Sequence, residues 1–297
     1  MHARRGGRRG ALPRFRRRRL PHRPEDRDRR RQLLTDPIDA NRRQWEERLP
    51  VHLGSDFYDL DSFKAGRSSL RSLELEEVGD VAGRDLLHLQ CHFGLDSISW
   101  ARLGARVTGV DFEPGALETA RTLAAESGVE ARFVCSTVDA LPEALDGQFD
   151  IVFTSYGVLM WLPDLARWAE VVAHFLRPGG RFHLVEFHPV VGALGEEPDP
   201  QLQPWYFIGG PHRWEGDRDY ADRSHVLEHP QYEWVHKVGD VVSALVDAGL
   251  MLESLGEHPV AAEQMRPYMV RDRDDERWWR IPGDPIPLSY SVRARKP

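Results

Sequence analysis

The chain has 297 residues, 41% hydrophobic and 29% charged, enough for one large α/β domain with an insertion or for two modest domains. No apolar run approaches the ~20 residues that span a bilayer, and no apolar stretch follows the N-terminal charges as in a secretory signal, so a cytoplasmic protein with no membrane partner is expected. The net charge of −7 is uneven: residues 1–31 hold 14 arginines against Glu25, Asp26 and Asp28, a balance of +11, and the remainder carries −18. So acidic a body repels a phosphate backbone, which argues against a nucleic-acid partner.

Residues 1–33, with Arg16-Arg17-Arg18-Arg19, are too poor in apolar side chains to offset their ordering entropy and are expected to be a disordered tail. That tail is either solvated, as from a translation start placed too early, or an arm that recruits RNA or protein. Residues 34–80 are expected to form an N-terminal helical cap: a helix over 39–48 anchored by Trp45, and another over 68–78. The two cysteines, Cys91 and Cys135, have no metal-type or redox-type spacing and read as free thiols.

From residue 84 strands and helices alternate. Strands are expected at 86–90, 106–111, 131–135, 150–154 and 181–186, with helices at 97–103, 114–126 and 162–176. This is the pattern of a parallel sheet covered on both faces. Residues 188–235 break the rhythm with Pro, Gly and aromatic residues, including Trp205, Tyr206, Trp214, Tyr220 and Trp234. They read as an aromatic lid, or else as rings packed on the sheet. A helix at 238–248, a strand at 251–255, a polar excursion at 260–284 and a strand at 287–295 close the chain, the two strands suiting an antiparallel pair at the sheet edge. His225 and His229 stand four apart, but Pro230 and the lack of a matching acid cluster argue against a metal.

The first strand ends in Gln90-Cys91-His92-Phe93-Gly94. Such a turn exposes backbone N–H groups at a helix N-terminus, and Gly94 can let a ligand approach the backbone. Asp111, ending the second strand, can accept both hydroxyl protons of a ribose; a helix N-cap is the alternative. Gln90, His92 and Phe93 leave one glycine where a pyrophosphate would need bare backbone, so a nucleoside without phosphates fits better than a dinucleotide, and a dehydrogenase is disfavoured.

On these motifs the chain, over about residues 80–295, resembles the class I S-adenosylmethionine-dependent methyltransferases, in a bacterial branch carrying HLQCHFGLDSISWARLGA. Ser136-Thr137-Val138, Phe149-Asp-Ile-Val-Phe-Thr-Ser-Tyr-Gly157 and Leu176-Arg-Pro-Gly-Gly-Arg-Phe-His-Leu-Val-Glu186 stand where that family has its later motifs. The resemblance implies an α/β, Rossmann-like, doubly wound and mostly parallel seven-stranded sheet with an antiparallel C-terminal strand, spanning 81–297 with the lid inserted at 188–235. It implies S-adenosylmethionine as cofactor, held by Gln90, Cys91, His92, Gly94, Asp111, Phe112, Thr137, Val138 and Ser155. His188, Glu186 and Tyr156 are the catalytic candidates, since they close the fourth and fifth strands. The expected reaction is methyl transfer to N or O of a small-molecule acceptor, because the place of a DNA-amine methylation motif holds Ser155-Tyr-Gly-Val158. The alternatives are an RNA or protein methyltransferase recruited by the tail and a non-catalytic S-adenosylmethionine-binding protein. Acceptor identity and oligomeric state are open.

Overall fold

Each central strand places one set of alternate side chains against each face of a sheet. In β1 (Asp85–Leu89), Leu87 and Leu89 enter one apolar cluster and Leu86 another. The computed structural model describes residues 24–197 and 201–297, with backbone alone given for 24–36. Residues Pro37–Pro297 form one compact unit. Of the expected disordered tail, residues 1–23 lie outside the described residues, whereas residues 24–33 are helical, continuous with the helix that carries Trp45.

Three helices precede the sheet: α1 (Pro24–Leu53), α2 (Leu60–Lys64) and α3 (Ser72–Val78). After β1 come α4 (Leu95–Arg102), β2 (Arg106–Asp111), α5 (Pro114–Glu126), β3 (Ala131–Cys135), α6 (Leu141–Ala144), β4 (Phe149–Ser155), α7 (Leu165–Phe175) and β5 (Leu176–Phe187). The insertion contributes β6 (His212–Trp214) and β7 (Gln231–Glu233), which pair as a two-stranded ribbon. The chain ends with α8 (Val238–Asp247), β8 (Met251–His258), β9 (Val260–Ala261), β10 (Val270–Arg271), β11 (Trp279–Arg280) and β12 (Ser289–Arg295).

The main sheet runs β3-β2-β1-β4-β5-β12-β8. The first five strands pair in parallel, and β12 lies antiparallel between β5 and β8. The chain reverses its winding between β1 and β4, so a crevice opens at their carboxyl ends, where ligands bind in open sheets of this kind. Helix α7 starts at Leu165, three residues later than expected. Pro163 disfavours helix at the residue before it, and the Asp164 side chain caps the Arg167 N–H at 3.0 Å. Its face at Trp168, Val171, Val172 and Phe175 is buried at helical spacing against the sheet. The excursion at 260–284 holds the three-stranded sheet β10-β11-β9, whose two-residue strands are too short to leave a periodic signal. Among the described residues no helix is long and apolar enough to cross a membrane.

Candidate functional site

A cavity of about 600 Å³ opens over the carboxyl ends of β1, β2, β4 and β5. Nine of the twelve residues singled out from sequence line it: Gln90, His92, Gly94, Asp111, Phe112, Ser155, Tyr156, Glu186 and His188. Cys91, Thr137 and Val138 do not. Cys91 turns into an apolar cluster, and a Cβ built on Gly109 would lie 2.9 Å from its Sγ. Burial pushes its thiol well above the ordinary range. Val138 packs in the main core.

Asp111 is 8% exposed. One carboxylate oxygen accepts the His92 N–H at 2.8 Å and the other the Glu113 N–H at 3.0 Å. The helix cap is a different residue: Glu113 accepts the amides of Gly115 and Ala116 at the start of α5. Burial raises the Asp111 carboxyl to about 6, against the amides that favour its charge.

The loop keeps the left-handed backbone that glycines would ease. Gln90 (φ 57°) and His92 (φ 52°) adopt it despite their side chains, at roughly 1–2 kcal/mol each. The Gln90 amide donates to Val158 O at 2.9 Å and ties this loop to the one after β4. Gly94 (φ 82°) lines the cavity and also meets a packing demand. Its missing side chain makes room for the protein: a Cβ there would stand 2.9 Å from Ala120 Cβ and 3.0 Å from the Phe133 ring. Gly94→Ala is expected to lose about 2–4 kcal/mol from overpacking and left-handed strain. An unchanged urea midpoint would contradict that packing.

The three catalytic candidates also look different in place. Glu186 is buried, and its two oxygens accept the amides of Gly157, Val158, Leu159 and Phe187 at 2.5–2.9 Å. Burial still raises its carboxyl. It shapes the β4 loop, and its lone pairs are committed. His188 accepts the Val190 N–H at Nδ1 (3.2 Å), so its Nε2–H points at Glu257, 3.1 Å away. Both ring nitrogens are engaged, which leaves no lone pair for a substrate proton. Tyr156 (φ 26°) is half-buried with its hydroxyl enclosed beside Glu74, and that enclosure first, then the carboxyl, lifts its phenol well above the ordinary range. It is a proton donor at neutral pH.

The roof is fastened by polar residues of α1 that the sequence did not single out. Helix α1 presents Asn41, Gln44, Arg48 and His52, all under 5% exposed, to the insertion. Asn41 bonds Tyr232 N and O, Gln44 donates to His229 O, and Arg48 reaches Gln231 Oε1 at 2.8 Å and Asp219 Oδ2 at 3.0 Å. His52 Nε2 lies 3.0 Å from the same Asp219 oxygen. Trp45 meets His92 and Trp161 edge-on at 5.1 and 5.4 Å. The signal was a polar stripe at i, i+3, i+7 and i+11, which reads as a solvated face until its partners are known. His225 and His229 do find an acid, Glu47 of α1, at 3.6 and 3.1 Å. Its oxygens also accept the amides of Glu228 and His229, so it fastens the insertion. Among the described residues no group of three or more His, Cys, Asp or Glu is arranged to hold a metal.

Residues 86–180 match the family described as "Methyltransferase domain". Ubiquinone biosynthesis O-methyltransferase of Xanthomonas oryzae pv. oryzae is 33% identical over 153 residues, which cover 50% of this chain and 64% of that protein. The Serratia proteamaculans protein of that name is 35% identical over 106 residues, covering 36% and 44%. The chain thus spans less than two thirds of these curated relatives. An S-adenosylmethionine-dependent methyltransferase structure from Mesorhizobium loti superposes with a TM-score of 0.56 at 23% identity, over 78% of this chain and 100% of that one. One from Methanosarcina mazei gives 0.51 at 18% identity, over 76% and 98%. These two show the shared fold.

Proposed function

We propose that the chain, whose residues 86–180 match the methyltransferase domain family, is a class I S-adenosylmethionine-dependent methyltransferase that transfers a methyl group to N or O of a small molecule held in the cavity. S-adenosylmethionine is the methyl donor of the family. When bound it supplies an electrophilic methyl carbon on a sulfonium.

The observation that carries the reading is the Asp111 carboxylate. It ends β2 on the cavity wall, already oriented by two amides, with further lone pairs for ribose hydroxyls. Phe112 lies beside it on the cavity wall for the adenine face. Gln90 Oε1 and His88 Nε2 are buried on cavity-lining residues without a protein partner. An ammonium group would satisfy the first of them. Asp96 in the first turn of α4, held by Ser69 (2.6 Å) and Ser155 (3.0 Å), adds a second carboxylate to the cavity wall. Two carboxylates favour a cationic sulfonium ligand and disfavour a pyrophosphate. Glu186 shapes the loop over the methionine end, and His188 holds the cavity's far wall.

Residues 34–80 and 188–235 together form the cap in this reading, the insertion roofing an acceptor site walled by Trp45, Tyr156 and Trp205. The curated relatives are named for an O-methyltransferase, which supports oxygen over nitrogen. Calorimetry should show binding of S-adenosylmethionine and none of NAD. Isotopically labelled methyl should then pass to components of a metabolite extract. Binding of NAD alone would refute the assignment, and donor binding without any transfer would leave a non-catalytic binding protein.

A further inference from the structure

Three ionisable side chains from three separate parts of the chain meet beneath the roof: Asp219 of the insertion, His52 of α1 and His92 of the loop after β1. Asp219 and His52 have no exposed surface. Asp219 Oδ2 lies 3.0 Å from both Arg48 and His52 Nε2, and Oδ1 accepts the amides of Ala221 and Asp222. His52 Nδ1 lies 3.4 Å from His92 Nε2. His92 lines the cavity, and among the described residues no protein group bonds its Nδ1.

These contacts determine the protons. Burial works against the Asp219 charge, but the His52 hydrogen bond and the positive Arg48 outweigh it and bring its pKa to about 2, so it is a carboxylate. A carboxylate only accepts, so the His52 proton must be on Nε2. That leaves a lone pair on His52 Nδ1, and the hydrogen on the facing His92 nitrogen must be on Nε2. The remaining lone pair of the chain is on His92 Nδ1, at the cavity. Burial, followed by the nearby His52 and Arg48, lowers the His92 pKa well below the ordinary range, which keeps it neutral and able to accept a proton.

We propose that His92 is the general base of the reaction, with His52 and Asp219 as its positioning residues, and that the acceptor is therefore a hydroxyl compound, whose oxygen must lose a proton. The inference rests on the methyltransferase reading above. The hydroxyl proton moves to His92 Nδ1 while the His92 Nε2 proton moves to His52 Nδ1, so the positive charge comes to rest beside the Asp219 carboxylate. The acceptor oxygen uses its lone pair to bond the methyl carbon. The carbon–sulfur bond breaks with its pair left on sulfur, giving a methyl ether and a neutral thioether. The proton then returns along the chain and leaves from His92 Nδ1 to solvent. None of the other candidates offers such a lone pair: Glu186 and His188 are fully engaged and Tyr156 is protonated.

The groups facing this chain are Arg48 of α1, the Tyr58 and Tyr220 hydroxyls, which bond each other beside His52, and Asp111, which holds the His92 amide. Glu263, from the segment after β9, also acts on the two tyrosines. Burial raises both phenols. They stay neutral at working pH, so titration below pH 8 belongs to the imidazoles and the carboxyls of Asp111, Glu263, Glu233 and Glu74, which burial raises.

The test uses the full chain labelled with ¹⁵N. Long-range imidazole spectra at pH 7 should show His52 and His92 neutral, each with its proton on Nε2. A proton on Nδ1 of either ring, or a protonated ring, overturns the relay without any acceptor being needed. Asp219→Asn should release His52 from its tautomer; should that variant fail to fold, His52→Gln serves, because Gln can still bridge Asp219 and His92 but cannot carry a proton. With catechol as the hydroxyl probe and labelled donor, His92→Gln is expected to lower kcat about 100-fold or more while donor affinity holds. His52→Gln should lower kcat about 10-fold and flatten the acid limb of its pH profile, a change that a merely structural role would not make. Transfer only to thiol or amine probes overturns the base and the hydroxyl class yet leaves methyl transfer intact. Failure to bind the donor at all strikes the underlying reading instead.

Discussion

Arg48→Met lowers folding stability by about 3–5 kcal/mol, seen as a large fall in the urea midpoint with an unchanged slope. Arg48 is 4% exposed and Asp219 has no exposed surface. Removing the cation leaves a buried carboxylate with only His52 and two amides, and the cost of that uncompensated buried charge outweighs the loss of the contact itself. The surface pair of Arg106 and Asp85, at 2.6 Å, makes the contrast. Water and salt screen it, so Arg106→Ala should leave the urea midpoint nearly unchanged. A shift of that small size for Arg48→Met would show that the roof is not fastened by this pair. Since Arg48 also holds Gln231, the variant should loosen the insertion along with α1.

Asp111→Ala is expected to weaken binding of S-adenosylmethionine by about 1.5–3 kcal/mol, or roughly 10- to 150-fold, the range for hydrogen bonds to a charged group. Unchanged affinity in calorimetry would contradict the assignment. The pH dependence adds a second check. Ribose hydroxyls donate to the ionised carboxylate, whose pKa is raised to about 6. Affinity should therefore fall as pH drops through about 6, and Asp111→Asn should be weak and flat across that range. Stability follows the opposite sign. The unfolded chain gives up this proton near its ordinary value, before the folded protein does. The Asp111 contribution to stability therefore declines as pH rises from about 4 to 6, and Asp111→Asn should abolish that decline.

Both variants also separate what is local from what is not. Asp111 was visible because a strand, its terminal acid and the next helix are one continuous stretch. The same local logic located β3 at Ala131–Cys135 and α5 at Pro114–Glu126 with the bounds expected. The resemblance to class I methyltransferases held for the same reason, since its motifs follow the strands in order. Arg48 had no such cue, because its partners lie 171 and 183 residues away. Glu47 and the pair His225 and His229 were likewise unconnected until α1 came to rest on the insertion.

The chain's own pattern of alternating strands and amphipathic helices determined the sheet, its winding and the crevice where it reverses, because periodicity and end caps act over a few residues. Only tertiary structure decided which lone pairs remain free. It committed those of Glu186 and His188 to the backbone and a neighbour, turned Cys91 inward, and left His92 with an open nitrogen over the cavity. A side chain's acid–base capacity depends on what else reaches its atoms, and here the partners that matter arrive from opposite ends of the sequence.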